Sequence, residues 1–268
     1  MKQDGFYKNL PMEDYLSEPG LSKSGLSKLA ISPAHYRYAD PVKFAGADLG
    51  SAVHMLVLEP DRSERSIFTP PGEVLGKGGS KATNAYKEWV SAQDAGAIIL
   101  SREDFEAAHH MRDAILAHPA TYELLSWGNP EVSMFWTDGN GIRRKARPDY
   151  LNGNYVDIKT ARSAKPEVFG KQAYDLHYHW SAQHTIEIGI GLGVGIEKYY
   201  FVVVEKEIPF CVSVFDTPQE LIELAREEIA PIYATYRACL EYDTWPGYSQ
   251  DIEPLTFPRW AFKPREEK

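Results

Sequence analysis

Three consecutive segments in the middle of the chain carry strand signals and are separated by short turn sequences, and the first of them alternates apolar and polar residues. Alternation with a period of two residues is typical of strands that bury one face. The segments are "EVSMFWT" (131–137), "IRRKARPDYL" (142–151) and "NYVDIKT" (154–160), with the turn "DGNG" (138–141) between the first two. Two further apolar runs, at 198–205 and 209–216, predict another hairpin. The second half of the chain is therefore expected to supply a β-sheet.

Segments with helical spacing surround these strands. A helix is predicted to begin near Ser22, and a mostly buried helix over 47–60 ends at Pro60. The Gly- and Pro-rich segment 69–84 predicts a mobile surface loop. The other predicted helices lie at about 82–94, 101–118, 178–190 and 217–243, the last with an expected kink at Pro231. This order of elements predicts an α/β fold with a central mixed sheet flanked by helices.

Composition narrows the class of protein. The chain has 268 residues, of which 43% are hydrophobic, so it can bury a sizeable core within one large domain. The formal net charge of −9 argues against a protein that coats DNA or anionic membrane with its whole surface, although a local basic channel remains compatible. The start of the chain, "MKQDGFYKNL", has no apolar signal region. We therefore expect a soluble protein of the cytoplasm with no membrane partner.

The two cysteines, Cys211 and Cys239, are far apart and form no CxxC spacing. They exclude a disulfide framework and an iron–sulfur cluster with cysteine ligands, and they fit a reducing compartment.

The hairpin at 147–161 carries the candidate chemistry. Side chains alternate faces along a strand, so Asp157 and Lys159 share one face while Val156 and Ile158 take the other. Asp149 joins Asp157 and Lys159 on that face only if the loop contains an odd number of residues. A two-residue turn would send Asp149 to the opposite face and count against the site, whereas a three-residue loop would place it opposite Asp157. We predict the odd loop or a bulge.

Two facing carboxylates repel one another unless a positive charge lies between them, and a divalent cation is the economical solution. Carboxylate oxygens suit Mg²⁺, and Mn²⁺ is expected to substitute for it. Lys159 could orient or deprotonate an attacking water, or stabilise charge that develops on a phosphate. Period-two counting from Asp149 places Arg147, Lys145 and Arg143 in a row, which predicts a basic track for DNA phosphates. The alternative is an ordinary solvated strand with surface salt bridges.

The stretch "RPDYLNGNYVDIKTA" (147–161) resembles the D…(D/E)xK core of the PD-(D/E)XK nuclease superfamily, and in particular its RecE-type branch, the exodeoxyribonuclease VIII family. Other stretches resemble the same branch in order along the chain. These are "GLSKSGLSKLAISPAHY", "LGSAVHMLVLEP" with Gly50-x-x-x-His54, "YHWSAQHTIEIG", "WPGY" and "FPRWAF". The resemblance implies a restriction-endonuclease-like core over 47–216. It also implies a helical DNA-end-binding part at 1–46 and a carboxyl-terminal helix and tail at 217–268, all within a single domain.

The resemblance also implies roles for individual residues. Asp149 and Asp157 would be metal ligands, the backbone carbonyl of Ile158 would be another, and Lys159 would be the catalytic lysine. His54 would complete the metal site. Taken alone, a histidine in "SAVHMLVL" is more often a core residue that is hydrogen-bonded to a carbonyl.

Two further sites follow from the same resemblance. Gln183 would contact the substrate near the scissile phosphate, although the position four residues later is Glu187 where the family has Tyr. Ser22, Ser24 and Arg37 would bind a terminal 5′-phosphate at a helix start, for which simple N-capping is the alternative.

Three histidines, at 177, 179 and 184, raise the question of a zinc site. No Cys or further His stands at ligand spacing, and an H-x-H pair diverges in a helix, so we expect DNA contact or packing instead.

The implied function is a Mg²⁺-dependent 5′→3′ exonuclease that acts on double-stranded DNA ends and leaves 3′ single strands. The implied partners are an annealing protein of the RecT type and further copies of the chain in a ring, encoded by a bacterium, phage or prophage. The alternatives are a nuclease selective for single strands or DNA structures, and an end-binding protein that does not cut.

Overall fold

The computed structural model describes residues 1–39, 47–94, 96–195, 198–249 and 251–262. Its helices are α1 Met12–Ser17, α2 Lys23–Ile31, α3 Pro33–Tyr38, α4 Ala47–Leu58, α5 Pro60–Ser66, α6 Asn84–Ser91, α7 Arg102–Ala117, α8 Pro119–Leu125, α9 Pro166–Asp175, α10 Tyr178–Gly191 and α11 Gln219–Tyr242. Its strands are β1 Gly5–Tyr7, β2 Ile67–Phe68, β3 Ile98–Ile99, β4 Asn129–Pro130, β5 Ser133–Thr137, β6 Arg143–Ala146, β7 Tyr150–Leu151, β8 Tyr155–Ala161, β9 Tyr199–Glu205 and β10 Val212–Asp216.

A five-stranded mixed sheet forms the centre of the fold, with the strand order β10-β9-β8-β7-β4. Strands β8 and β9 are parallel over seven residue pairs, with Asp157 beside Phe201, and the other neighbours are antiparallel. Val156 and Ile158 face a core that includes Ala52 and Val53 of α4 and Met111 of α7. The opposite face of the sheet packs against α9 and α10. The predicted mixed sheet with flanking helices is confirmed.

The three consecutive strands predicted at 131–160 are divided between two sheets. Strand β6 pairs with β5 in a three-stranded sheet of order β1-β5-β6, whereas β7 pairs with β8 in the central sheet. The chain passes from one sheet to the other through Arg147, Pro148 and Asp149. Proline has no N–H to donate to a ladder, so a break at Pro148 is physically reasonable. Asp149 thus lies where the two sheets meet.

Helix α11 packs against α10, α2 and α3. Tyr233 and Ile229 of α11 pack with Leu26 of α2 and Trp180 of α10 in a shared apolar cluster. Helix α11 continues through Pro231, where a kink was expected. The segment predicted as a loop at 69–84 contains two short 3₁₀ turns, Gly72–Val74 and Lys77–Gly79.

Within the described ranges, no helix combines the length and apolar character needed to cross a membrane.

Candidate active site

The β7–β8 hairpin has the odd loop that the sequence predicts. Leu151 pairs with Tyr155, so the loop consists of the three residues 152–154. The side-chain oxygen of Asn152 accepts the N–H of Asn154 at 3.0 Å, and Gly153 adopts a φ of +86° that favours glycine. Because Tyr150 pairs with Val156, the same register carries Asp149 to the position opposite Asp157.

Asp149 joins three elements through its carboxylate and its backbone. Its Oδ2 accepts the N–H of Ile158 at 2.6 Å and lies 3.4 Å from Nδ1 of His54 on α4. Its backbone carbonyl accepts the N–H of Glu131 at 2.9 Å. In a strand the N–H and C=O of one residue point to the same side, so the carbonyl of Ile158 also points toward Asp149. This is the direction that a carbonyl metal ligand requires.

Asp157 and Lys159 form a direct ion pair on the opposite face of β8 from the Val156–Ile158 core. The hydroxyl of Tyr199 donates to the second carboxylate oxygen of Asp157 at 3.2 Å. The ammonium of Lys159 also lies 5.3 Å from the centre of the Tyr178 ring on α10. Tyr199 and Tyr178 therefore hold the two charged side chains from β9 and from the start of α10.

The electrostatic environment separates the pKa values of the two aspartates. Burial raises the pKa of both, but His54 and Lys159 outweigh burial at Asp149 and lower its pKa below the usual range. At Asp157, burial and the neighbouring Asp149 prevail over Lys159 and raise the pKa to about 6. Two carboxylates that share one site behave in this way. A bound divalent cation would relieve the repulsion.

The two basic groups of the site favour their charged forms. Burial lowers the pKa of His54, but Asp149 reverses this and raises it overall. Burial likewise lowers the pKa of Lys159, and Asp157 and Asp149 raise it above its ordinary value. Lys159 is therefore an ammonium at neutral pH in the protein alone. That state suits the stabilisation of negative charge better than the abstraction of a proton.

Glu131 is a candidate metal ligand that the sequence reading missed. Ligand atoms of His54, Glu131 and Asp149 lie within 4.8 Å of one another. Burial and Asp149 raise the pKa of Glu131, while Oε2 accepts the Nε–H of Arg147 at 2.6 Å. Glu131 lies just before β5 with a φ of +52°, and no period or spacing marks such a position. Its only sequence signal is an acidic residue next to Pro130 at a strand start.

The start of α2 lines a cavity of about 260 Å³ together with the acidic pair and Lys159. Ser22 and Ser24 face this cavity, with their hydroxyls 2.9 Å apart, and Ser22 also caps α2 by accepting the N–H of Gly25. Lys23 lines it as well, and its ammonium donates to the carbonyl of Leu176 at 2.7 Å. Burial and the charge of Lys159 lower the pKa of Lys23 to about 8. The two predicted serines thus lie at the site, and Lys23 lies between them.

Arg37 does not share this cavity, contrary to the prediction. Its guanidinium lies 5.5 Å from the centre of the Trp245 ring, near the carboxyl-terminal end of the fold. Helix α3, which carries Arg37, packs on α2 and α11 rather than beside the start of α2. The predicted phosphate pocket of Ser22, Ser24 and Arg37 is therefore wrong in its third member.

The predicted basic row is also wrong in its geometry, because all three cations bind the amino-terminal segment. Arg143 donates to Asp4 at 2.6 Å, and Arg147 donates to the carbonyl of Leu10 at 2.7 Å. The ammonium of Lys145 is buried and donates to three backbone carbonyls at the end of α1, those of Tyr15, Leu16 and Glu18. Counting by twos from Asp149 also crosses the break at Pro148, where the strand changes sheets.

Gln183 lies away from the acidic pair. Along α10, Ser181 and Thr185 face the site and are one turn apart, while Gln183 and Glu187 share another face. Gln183 donates to Glu187 at 3.0 Å, and Glu187 also accepts from the buried Arg144 at 2.7 Å. Glu187 is thereby neutralised, and the predicted substrate contact of Gln183 does not fit this geometry.

The chain was compared with solved structures, and two of the matches are as follows. A "Putative exonuclease" from Eubacterium rectale aligns with a TM-score of 0.63 and 14% identity, over 94% of this chain and 96% of that one. A phage-related exonuclease from Haemophilus somnus 129PT aligns with a TM-score of 0.35 and 10% identity, over 72% of this chain and 95% of that one. The first likeness shows a shared fold. A search of curated protein sequences found no match.

A protein-family model described as "PDDEXK-like domain of unknown function (DUF3799)" matches residues 33–256. This range makes up most of the chain and contains His54, Asp149, Asp157 and Lys159. The match agrees with the superfamily that the hairpin resembles, and it does not single out the RecE-type branch. The chain belongs to the PDDEXK-like family DUF3799.

Proposed function

We propose that the chain is a metal-dependent nuclease that hydrolyses phosphodiester bonds in DNA. The observation that carries the proposal is a connected group of four side chains. Asp149, Asp157 and Lys159 line one cavity, and His54 lines a neighbouring cavity that Asp149 also lines. Asp149 lies opposite Asp157, Lys159 pairs with Asp157, and His54 lies 3.4 Å from Asp149. Family membership and the exonuclease name of the structural neighbour from Eubacterium rectale support the same reading.

The donor atoms fit a hard divalent cation. The carboxylates of Asp149 and Asp157 and the backbone carbonyl of Ile158, which points toward Asp149, offer oxygen ligands. Mg²⁺ and Mn²⁺ prefer such ligands. His54 adds one imidazole, and the Glu131 carboxylate lies within reach of the same ion. Such an ion, when bound, would polarise a phosphate oxygen and lower the pKa of a coordinated water.

The chain's own residues supply the rest of the chemistry. The ammonium of Lys159 stabilises negative charge that develops on the phosphate, and Tyr178 limits its movement from one side. Tyr199 fixes the rotamer of Asp157 through its hydroxyl. Ser22, Ser24 and Lys23 provide hydrogen-bond donors on the opposite wall of the cavity, where they can hold a neighbouring phosphate.

In finer terms, we propose a 5′→3′ exonuclease that degrades one strand of double-stranded DNA from its ends and leaves 3′ single strands for annealing-type recombination. The proposal includes a single-strand annealing partner of the RecT type, a homo-oligomeric ring and a cytoplasmic site of action in a bacterium, with a phage or prophage gene as the origin. These parts rest on the resemblance of the ordered motifs. A net charge of −9 is compatible with a ring that attracts DNA only into its channel.

The test is digestion of a linear duplex that carries separate labels at its 5′ and 3′ ends, beside a nicked circle, with Mg²⁺ and with EDTA. The matched control is Asp149→Asn purified in parallel, which reports any contaminating nuclease. We expect Mg²⁺-dependent release of the 5′ label before the 3′ label, an intact circle, and no cutting by the variant.

Other outcomes separate the parts of the proposal. Cutting of the circle, or earlier loss of the 3′ label, would retain the hydrolase and contradict the 5′→3′ role. Preference for a single-stranded or branched substrate would favour a structure-selective nuclease. Binding of ends without any cutting would contradict the enzyme and leave a DNA-end-binding protein.

A further inference from the structure

We propose that His177, His179 and Glu228 form a second divalent-metal site, of a kind that suits Zn²⁺, at the junction of α10 and α11. Ligand atoms from these three side chains lie within 4.8 Å of one another. The site shares no residue with the Asp149–Asp157 centre. It does not depend on the proposed nuclease activity.

The backbone explains why the two histidines converge. His177 is the residue that caps α10 and has a left-handed φ of +52° and ψ of +47°, whereas His179 lies inside the first turn. In a continuous helix, residues two apart point to different sides. The change of conformation at His177 brings the two rings to a centroid distance of 6.0 Å. The expectation that this H-x-H pair diverges is therefore wrong.

Glu228 approaches from α11 and is already oriented. Its Oε2 lies 2.7 Å from Nε2 of His179 and accepts the indole N–H of Trp180 at 2.6 Å. Ligands about 2.0–2.1 Å from a tetrahedral zinc lie roughly 3.3 Å from one another. A few tenths of an ångström of side-chain movement would thus admit the ion. The indole N–H would then be the outer hydrogen bond that fixes the carboxylate ligand.

The ring positions are also set by packing. His177 stacks on Trp180 with a centroid distance of 4.0 Å and an interplanar angle of 11°, and His179 stacks on Tyr174 at 5.9 Å and 9°. Nδ1 of His177 is buried and has no hydrogen-bond partner among the residues that the structure describes. A buried ring nitrogen without a partner carries a free-energy cost that metal coordination would remove.

The chemistry of the donors points to zinc rather than to Mg²⁺. Two imidazoles and one carboxylate are ligands that Zn²⁺ accepts, with water in a fourth position, whereas Mg²⁺ prefers oxygen ligands throughout. The carboxylate of Glu228 supplies one negative charge. Lys23 is a cation in the neighbourhood, and its ammonium is bound to the carbonyl of Leu176, next to His177.

The site would link the start of α10 to α11. Tyr178 lies between the two histidines in sequence, and its ring is 5.3 Å from the ammonium of Lys159. An ion bound to His177 and His179 would therefore fix the residue that limits the movement of Lys159. The proposed role is one of positioning.

Titration with Zn²⁺ alone, followed by calorimetry in buffer without Mg²⁺, tests the site. The parent protein should carry His54→Ala and Asp149→Asn, so that Zn²⁺ binding at the Asp149–Asp157 centre does not contribute to the signal. We expect one Zn²⁺ per chain in the parent. Adding His177→Ala or His179→Ala should weaken binding by at least about 100-fold, since even outer-shell changes cost 10- to 100-fold. His110→Ala, which removes an exposed imidazole elsewhere, should leave the affinity unchanged.

Glu228→Gln keeps the size and the acceptor oxygen for Trp180 and removes the negative charge, so it guards against loss of folding as the explanation. In the same parent protein, Zn²⁺ should raise the Tm, and this rise should be lost when Glu228→Gln is added. Absence of Zn²⁺ binding to the parent, or equal losses in His110→Ala and His177→Ala, would overturn the proposal. So would a Zn²⁺-induced rise in Tm that Glu228→Gln retains.

Discussion

The carboxylate of Asp149 receives an N–H from β8 and lies beside His54 of α4, while its backbone carbonyl holds Glu131. Substitution of this residue would disturb the backbone as well as the charge. Lys159 offers a cleaner probe, since its ammonium contacts Asp157 and the face of Tyr178.

We expect Lys159→Ala to lower the rate of DNA cutting by about 10²- to 10³-fold, because one electrostatic group at such a centre typically contributes that much. DNA binding should change little, because neighbouring donors remain. The measurement is single-turnover cleavage together with binding of the same duplex. Lys165→Ala is the matched control, since the Lys165 side chain is 69% exposed and pairs with Glu167. Full activity of Lys159→Ala would contradict the assigned role.

We expect the metal-free protein to become more stable when Asp157 is replaced by a neutral residue. The pKa of Asp157 in the folded protein is raised to about 6 from 3.8, so its ionised form costs stability in full above about pH 6, and this cost declines as the pH falls from about 6 toward 3.8. Asp157→Asn should therefore stabilise the metal-free protein at pH 8 by on the order of 2 kcal/mol. The advantage over the unaltered chain should shrink toward pH 5.

Thermal unfolding across pH 5–8 in EDTA measures this difference. Added Mg²⁺ should raise the Tm of the unaltered protein and leave that of Asp157→Asn nearly unchanged, because the ion would lose one carboxylate. A variant that is less stable at pH 8 than at pH 5, relative to the unaltered chain, would contradict the sign.

Residues whose placement depends on local geometry could be predicted from the sequence. Asp149, Asp157 and Lys159 belong to one hairpin, so loop parity alone determines which face they share. Glu131 and Arg37 depend on how distant elements pack, which a single sequence does not encode in any period. The predicted basic track of Arg143, Lys145 and Arg147 was wrong because counting residues by twos along a strand cannot detect that the chain changes sheets at Pro148.

At the scale of elements, α10 packs closely on the central sheet at Gly189. A Cβ at this position would collide with the hydroxyl of Tyr155 on β8, and Tyr155 is fully buried. The helix therefore needs glycine there to keep Ser181 and Thr185 at the cavity wall.

Gly189→Ala should lower the stability by about 1–3 kcal/mol, the usual cost of overpacking a core. Gly170→Ala in α9 is the matched control, because a Cβ there meets no atom within 4 Å. In that open position the higher helix propensity of alanine should raise the stability by up to about 1 kcal/mol. Urea unfolding of both variants gives the comparison, and equal effects of the same sign would contradict the close approach.

Long elements with a clear period were predictable, and short ones were not. The strands at β5, β8 and β9 and the helices α7, α10 and α11 follow apolar periods over five or more residues. Three of the helices that escaped prediction, α5, α8 and α9, begin with proline, which is a recognised signal for a first helical position. Their apolar faces are too short for a period to be recognised.

At the scale of the whole molecule, the fold was predictable because the ordered motifs span most of the chain, and the family match covers the same range. The oligomeric ring stays a proposal, because a ring forms through contacts between copies of the chain. The acidic net charge and the site's inward-facing cations are consistent with DNA contact that is confined to one cavity.

The amino-terminal segment occupies the cationic side chains on and just after β6, which would otherwise attract phosphate groups. Arg143, Lys145 and Arg147 all bind its side chains or carbonyls, from Lys2 to Glu18. A chain shortened by protease or by gene design to begin after this segment would present bare cations beside the catalytic cavity. It would then adhere to nucleic acid of any sequence in a manner that salt reverses, so retained binding in such a shortened chain would be no measure of end recognition.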